Sequence, residues 1–250
     1  RDLMCIGVSG DGDSASIGLG QFAHVVRRRT TMLYLVDNNG TYGLTKGQFS
    51  ATNDKGSTSK KGVPNLYEPI DLVSLALQLG ASFVARSFSG DKRQLVPLIK
   101  AALKHKGMAF IDVISPCVAF NNHAGSTKSF EFVREHMHSA VHADLILGQP
   151  EITADYAEGT QENVIIPDGS VLQLYKVDAD YDPYDRVGAL TYVQKMHGEG
   201  QVATGLLYVD PDSVECHDIM GTTSQPLNEL AEDALCPGSE ALSAINQGYR

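Results

Sequence analysis

Apolar residues in this chain come in short runs separated by amphipathic stretches. Leu3 to Val8 (LMCIGV) and Met32 to Val36 (MLYLV) are continuous enough to be buried strands. Between them, the spacing from about Ser14 to Arg29 predicts a helix. Its last residues are Arg27, Arg28 and Arg29, where a helix dipole favours cations. This strand–turn–helix–strand unit predicts a parallel, right-handed crossover. A second helix is expected at about 69–79, closed by Gly80, and a third at about 91–105. Strands are expected at 81–85 and 108–114. Helices alternating with buried strands indicate an α/β class, a doubly wound and mainly parallel sheet with helices on both faces.

The pattern changes after about residue 145. Val164 to Ile166 and Val171 to Val177 flank Pro167-Asp168-Gly169-Ser170, which reads as a hairpin turn. A helix at about 186–196, a strand at about 201–209 and a short helix near 239–246 follow. The expected organisation is therefore an α/β domain over 1–145 and an α+β extension over 146–250, packed on that core. The apolar run begins within two residues of Arg1, so further residues are expected upstream.

Charge and composition narrow the partners. The formal net charge of −10, from 30 acidic and 20 basic side chains, disfavours nucleic acid and anionic membrane surfaces. No apolar run reaches the roughly 18 residues that a membrane-spanning helix needs. Cys5, Cys117, Cys216 and Cys236 are too few and too scattered for a disulfide framework, so a cytoplasmic location is the expectation.

The chemistry is concentrated in two places. Gly10-Asp11-Gly12-Asp13 follows the first strand and opens the first helix. Gly10-x-Gly12-x-x-Ala15 fits a loose dinucleotide fingerprint, with Asp37 ending the next strand where a ribose-binding acid would lie. Asp11-x-Asp13 also resembles the opening of a calcium loop, but Ala15, Ser16 and Phe22 occupy positions that such a loop cannot spare. In a third reading, Asp11 and Asn39 sit at the tips of adjacent parallel strands and share one Mg²⁺ bound to a diphosphate. Charge favours the third. A carboxylate inside a glycine loop repels a bare pyrophosphate, and becomes an asset once a divalent cation lies between them.

The second place is Ser115-Pro116-Cys117-Val118-Ala119-Phe120-Asn121, after the strand at 108–114. From residue physics alone, Cys117 reads as a small buried hydrophobe or a free thiol. Weaker signals include His136, His138 and His142. If helical, His138 and His142 share a face at i, i+4, but a solvated face is the simpler reading. The stretch 180–186 (DYDPYDR) reads as a loop and helix cap, and the lysines between 55 and 61 as a loop with conceivable coenzyme A contact.

GDG, 25 further residues and then Asn38-Asn39 resembles the thiamine pyrophosphate motif of transketolases and pyruvate decarboxylases. The continuation Asn-Asn-x-x-Tyr-Gly-Leu-Thr-Lys-Gly-Gln (38–48) is similar to the β subunit of 2-oxoacid:ferredoxin oxidoreductases. The resemblance implies a thiamine-pyrophosphate-binding fold and Mg²⁺ ligands at Asp11, Asn39 and the carbonyl of Thr41. It further implies cofactor contacts at Gly10, Gly12, Asp13, Gly43 and Leu44. Lys46 falls where a cation would meet a 2-oxoacid carboxylate or coenzyme A, unless it is a solvated loop lysine. In this family Pro-Cys-x-x-Phe-Asn carries the fourth thiolate of a [4Fe–4S] cluster, which assigns Cys117 that role, with the other three thiolates upstream of GDG.

The implied activity is coenzyme A-dependent oxidative decarboxylation of a 2-oxoacid, reversible to CO₂ fixation, with electrons passing through iron–sulfur clusters to ferredoxin. The extension (YDPYDR, TGLLYV, PGSEAL) resembles the 2-oxoglutarate-type members. The family's α subunit supplies the carboxylate that activates the cofactor, which implies a hetero-oligomer. Two alternatives remain at this point. One is a non-redox thiamine enzyme such as a 2-oxoacid decarboxylase or an acetolactate synthase. The other is a dinucleotide-binding regulatory subunit.

Overall fold

The computed structural model describes residues 3–58, 62–146, 161–165, 171–176, 180–236 and 238–249. Residues 1–216 form one compact unit and 217–250 another. The first unit is built on a sheet whose strands are, in chain order, β1 (Ile6–Gly10), β2 (Met32–Asn38), β5 (Phe83–Phe88), β6 (Met108–Ile114), β7 (Met137–Ile146), β8 (Gln161–Ile165), β9 (Val171–Lys176) and β10 (Val202–Val209). A separate two-residue ladder joins β3 (Thr41–Tyr42) to β4 (Gln48–Phe49). The sheet order is β1-β2-β6-β5-β10-β7-β9-β8.

The first four strands in that order are parallel, as the alternating pattern requires. β5 and β6 are buried at nearly every position, which happens only where both faces of a sheet are covered. β10 then runs antiparallel to β5 and parallel to β7, and β9 and β8 continue antiparallel. The pairing of β8 with β9 fits the hairpin expected there, although the turn itself lies outside the described residues. Helices α1 (Leu19–Arg27), α2 (Leu72–Leu79), α3 (Lys92–Lys104), α4 (Phe130–His136) and α5 (Arg186–Gly198) complete the unit. α2 packs against α1 and α5, while α3 lies against β5, β6, β7 and β10. The core they enclose includes Phe22, Leu33, Leu72, Phe83, Phe110 and Leu206. The second unit carries helices at Glu232–Leu235 and Gly238–Gly248. Among the described residues, no helix is long and apolar enough to cross a membrane.

Three expectations need correcting. The run Leu3 to Val8, expected to be a buried strand, supplies the edge strand β1 and leaves Leu3, Met4, Ile6 and Val8 exposed, because an edge strand has a neighbour on one side alone. The helix expected over 14–29 is interrupted. Residues Gly12–Ile17 form one wide π-type turn, and α1 starts at Leu19. The amide of Gly18 donates to the carbonyl of Asp13, five residues back, at 2.6 Å, and this bond widens the turn. A side chain at Gly18 would approach that same oxygen at 2.6 Å. The third correction concerns the histidines. His138 and His142 lie on strand β7, not on a helix. Four residues along a strand span roughly 13 Å, so the two rings cannot share an ion.

His105, which follows α3, gives the fold a pH response. Its ring packs against Phe83 at 5.6 Å, and its Nε2 lies 2.8 Å from Ser82 Oγ. Burial pulls its pKa from 6.5 down to about 4. The unfolded chain therefore binds a proton that the folded chain refuses between those two values. Stability is fully present above pH 6.5 and is lost as pH falls toward 4, by up to about 3 kcal/mol. Urea midpoints at pH 7 and pH 4.5 are expected to differ less for His105→Gln than for the native chain. An equal fall in both proteins would contradict this.

Candidate functional site

The site forms where β1 and β2 end. Gly10 pairs with Asp37 at the last register position, so Asp11 and Asn39 emerge side by side. Asp11 is 1% exposed. Its carboxylate reaches across to the loop after β2, taking the amides of Asn39 at 3.3 Å and Gly40 at 3.1 Å. It also accepts from the hydroxyls of Ser50 and, at 2.6 Å, Thr52. Asn39 turns its own Oδ1 to the amide of Thr41 at 2.9 Å and to its hydroxyl at 3.3 Å. The structure thus brings Asp11, Asn39 and Thr41 to one place at adjoining strand tips.

Two glycines make this approach feasible. A Cβ at Gly12 would lie 2.5 Å from the ring of Tyr42, whose hydroxyl donates to the Gly12 carbonyl at 2.9 Å. Gly40 has a φ of +76°, and a Cβ there would meet Asn121 at 2.7 Å. Gly10 ends β1, and Asp13 is exposed on the π-type turn. Gly43 and Leu44 are exposed, with Leu44 98% so. Lys46 is exposed too, in a left-handed backbone conformation with φ +75°. Its amide donates to the Gly43 carbonyl at 3.1 Å, which folds 43–46 into a tight turn.

The second sequence constellation docks on the first. The amide of Ser115 donates to the Asn38 carbonyl at 2.9 Å, continuing the ladder between β6 and β2. Asn121, fully buried, donates from Nδ2 to the Asn39 carbonyl at 2.8 Å. Phe120 packs where a side chain on Gly47 would stand, 2.7 Å from such a Cβ. Cys117 is a free, partly buried thiol. Its sulfur lies 4.0 Å from the position of a Cβ on Gly43.

Behind Asp11 lies a network of charged and polar groups that motif reading passed over. Thr52 Oγ1 lies 2.9 Å from Asn38 Oδ1, and Asn38 Nδ2 donates to Asp112 Oδ1 at 2.9 Å. Asp112 accepts from Arg86 Nε at 2.8 Å, and Arg86 also pairs with Asp71. Burial alone would raise the pKa of Asp71, but the charge of Arg86 and hydrogen bonds from Ser74, Arg86 and Val73 outweigh it and hold the carboxyl below its usual range. Arg86 is itself opposed by burial and raised by the two carboxylates. Asn38, Thr52, Arg86 and Asp112 line a cavity of about 160 Å³, and Lys128, paired with Asp54 at 3.5 Å, lines it too.

The donor set fits a hard cation beside a phosphate. Asp11 offers a fixed carboxylate, and the neighbouring loop offers carbonyls and amides, the oxygen chemistry that Mg²⁺ prefers. The buried Oδ1 atoms of Asn53 and Asn121 accept no hydrogen bond among the described residues. The surroundings of Gly40 are therefore rich in oxygen acceptors. The ends of parallel strands next to a helical turn are also where α/β sheets receive phosphates. One thiol at Cys117 fits a single ligand position in a cluster that needs four.

Comparison with known proteins agrees with this geometry. Residues 2–113 match the family model of the thiamine pyrophosphate enzyme C-terminal TPP-binding domain. The chain is 43% identical over 122 residues to a 2-oxoacid:ferredoxin oxidoreductase β subunit from Sulfolobus, covering 48% of this chain and 40% of that protein. It is 39% identical over 123 residues to the 2-oxoglutarate oxidoreductase subunit KorB of Mycobacterium tuberculosis, covering 49% and 33% respectively. The chain thus spans well under half the length of these relatives. Among solved structures, the 2-oxoglutarate:ferredoxin oxidoreductase from Magnetococcus marinus, with 2-oxoglutarate, coenzyme A and succinyl-CoA bound, matches with a TM-score of 0.64 at 25% identity. That match covers 91% of this chain and 66% of that one.

Proposed function

We propose, taking as premise that residues 2–113 are a thiamine-pyrophosphate-binding domain and the chain a relative of the 2-oxoacid:ferredoxin oxidoreductase β subunits, that this protein is the β subunit of such an enzyme. Its reaction is the coenzyme A-dependent oxidative decarboxylation of a 2-oxoacid, with 2-oxoglutarate as the expected substrate and ferredoxin as electron acceptor. The names of its relatives and of its structural neighbour support that reading. The observation that carries it is Asp11 beside Asn39 at adjoining strand tips, with the Cys117 thiol against Gly43.

In this reading Asp11, Asn39 and the Thr41 carbonyl hold Mg²⁺. Gly10, Gly12, Asp13, Gly43 and Leu44 border the thiamine pyrophosphate. When bound, that cofactor supplies the electron sink for decarboxylation. The chain's own work is to fix the diphosphate end. Asp11 is locked by four donors before any ion arrives, and Asn121 clamps the Asn39 carbonyl from behind. Exposed Leu44 and Lys46 are left facing outward, toward substrate, coenzyme A or the α subunit. Residues 1–145 act as the cofactor domain, and 146–250 as its extension. Cys117 contributes one thiolate to a [4Fe–4S] cluster, and its place beside Gly43 would set that cluster next to the cofactor loop. Four cysteines without a disulfide among them suit a reducing, cytoplasmic setting.

Cys117→Ala tests the redox part. In the protein assembled with its partner subunit, thiamine pyrophosphate affinity is expected to stay within about threefold, because the thiol is no ligand of the cofactor. Iron content and ferredoxin reduction are expected to collapse. Unchanged iron and undiminished ferredoxin reduction would contradict the cluster assignment, and would turn the reading toward a non-redox thiamine enzyme.

A further inference from the structure

The two oxygens of Asp11 are not equivalent. Oδ2 lies within reach of three donors, the Gly40 amide at 3.1 Å, the Thr52 hydroxyl at 2.6 Å and the Ser50 hydroxyl. Among the described residues, Oδ1 receives the Asn39 amide alone, at a long 3.3 Å. A carboxylate oxygen has about two lone-pair directions. Three donors therefore saturate Oδ2, while Oδ1 keeps one direction open. The protein has decided in advance which oxygen a cation can take.

We infer that Thr52 is a positioning residue for the metal-binding carboxylate: its hydroxyl holds Asp11 with Oδ1 open, and ties that carboxylate to the Asn38–Asp112–Arg86 network. The inference rests on the reading of Asp11 as a Mg²⁺ ligand.

The hydrogen-bond accounting supports the tie. Asn38 must turn Nδ2 toward the Asp112 carboxylate, a distance of 2.9 Å, because an amide oxygen there would face a like charge. That leaves Asn38 Oδ1 facing Thr52 Oγ1 at 2.9 Å. Thr52 has one hydroxyl hydrogen and three oxygens within reach of it, Asp11 Oδ2, Asn38 Oδ1 and, farthest at 3.1 Å, Ser50 Oγ. The charged and nearer Asp11 holds the advantage while its charge is uncompensated. A divalent cation on Oδ1 reduces that charge and weakens its hold on the hydrogen, so that Asn38 competes better. Occupancy of the ion site and the state of Asn38 are coupled through this one hydroxyl. All four groups concerned, Asp11, Thr52, Asn38 and Asp112, are buried, where a hydrogen bond is electrostatically stronger than in bulk water.

The test uses the protein assembled with its partner subunit. Calorimetric titration gives the Mg²⁺ concentration for half-maximal thiamine pyrophosphate binding, and separately the cofactor affinity at saturating Mg²⁺. Thr52→Val keeps the side-chain shape and removes the hydroxyl. It is expected to raise the Mg²⁺ requirement about tenfold, within the range seen when partners that orient metal ligands are lost. Affinity at saturating Mg²⁺ should stay within about threefold. Thr52→Ser restores the hydroxyl and is expected to return the requirement to near its native level. An unchanged Mg²⁺ requirement in Thr52→Val, accompanied by a lower melting temperature, overturns the inference and leaves Thr52 a packing residue. Failure of Thr52→Ser to restore it overturns the inference as well. If Thr52→Val does not fold, Ser50→Ala removes another Oδ2 donor and is read the same way: a raised Mg²⁺ requirement supports the inference and an unchanged one overturns it. A native protein that binds no thiamine pyrophosphate in the presence of Mg²⁺ refutes the underlying reading of Asp11 instead, and that control is measured first.

Discussion

Asp11→Asn is expected to abolish Mg²⁺-dependent thiamine pyrophosphate binding while leaving the fold in place. The new amide must orient its oxygen toward the donors from Gly40, Ser50 and Thr52, because its NH₂ group cannot accept from them. The NH₂ then occupies the position of Oδ1 and points a partial positive charge at the ion. Losing a partner that merely orients a metal ligand costs about 10–100-fold in affinity, so losing the ligand's charge and reversing its polarity should cost more than about 100-fold. Calorimetry with and without Mg²⁺ measures this directly. Binding within about tenfold of native would remove Asp11 from the metal site.

Arg86→Met is expected to produce the largest loss of stability. Arg86 ties together Asp71 and Asp112, and Asp112 is 1% exposed. With the guanidinium gone, Asp112 becomes a buried carboxylate whose remaining donor among the described residues is the amide of Asn38. Removing one partner of a buried ion pair typically costs about 3–5 kcal/mol, because the other charge is left uncompensated. Urea denaturation should show that loss at neutral pH. Because Asn38 joins the same network to Thr52, a weaker Mg²⁺ response is expected alongside it. A loss below about 1 kcal/mol would mean that the pairs are screened as surface pairs are.

The sequence revealed the parallel half of the sheet well, and for a physical reason. Strands covered on both faces must be continuously apolar, and the run at 108–114 could be little else, whereas LMCIGV has the same apolar pattern and forms the exposed edge strand β1. The GDG and double-Asn spacing was readable because it positions two side chains at neighbouring strand tips. What escaped was set by tertiary contact. The break at Gly18 depends on one five-residue hydrogen bond that no periodicity announces. The HMHSAVH stretch has polar positions that suit a strand as well as a helix, and pairing with β9 and β10 decided the outcome. Ser50 and Thr52 looked like ordinary residues of a polar loop. Their importance arises because the loop folds back onto a carboxylate about 40 positions earlier in the chain. Arg86 and Asp112 each lie within apolar strands, and their pairing follows from the register of β5 against β6.

One titration probes the account most directly. The protein assembled with its partner subunit is titrated with thiamine pyrophosphate, first with Mg²⁺ present and then with the ion chelated, and in parallel with NAD⁺. Saturable thiamine pyrophosphate binding that vanishes on chelation, with no saturable NAD⁺ binding, is the predicted result. Saturable NAD⁺ binding without thiamine binding, or thiamine binding indifferent to chelation, would contradict a divalent ion held between Asp11 and Asn39.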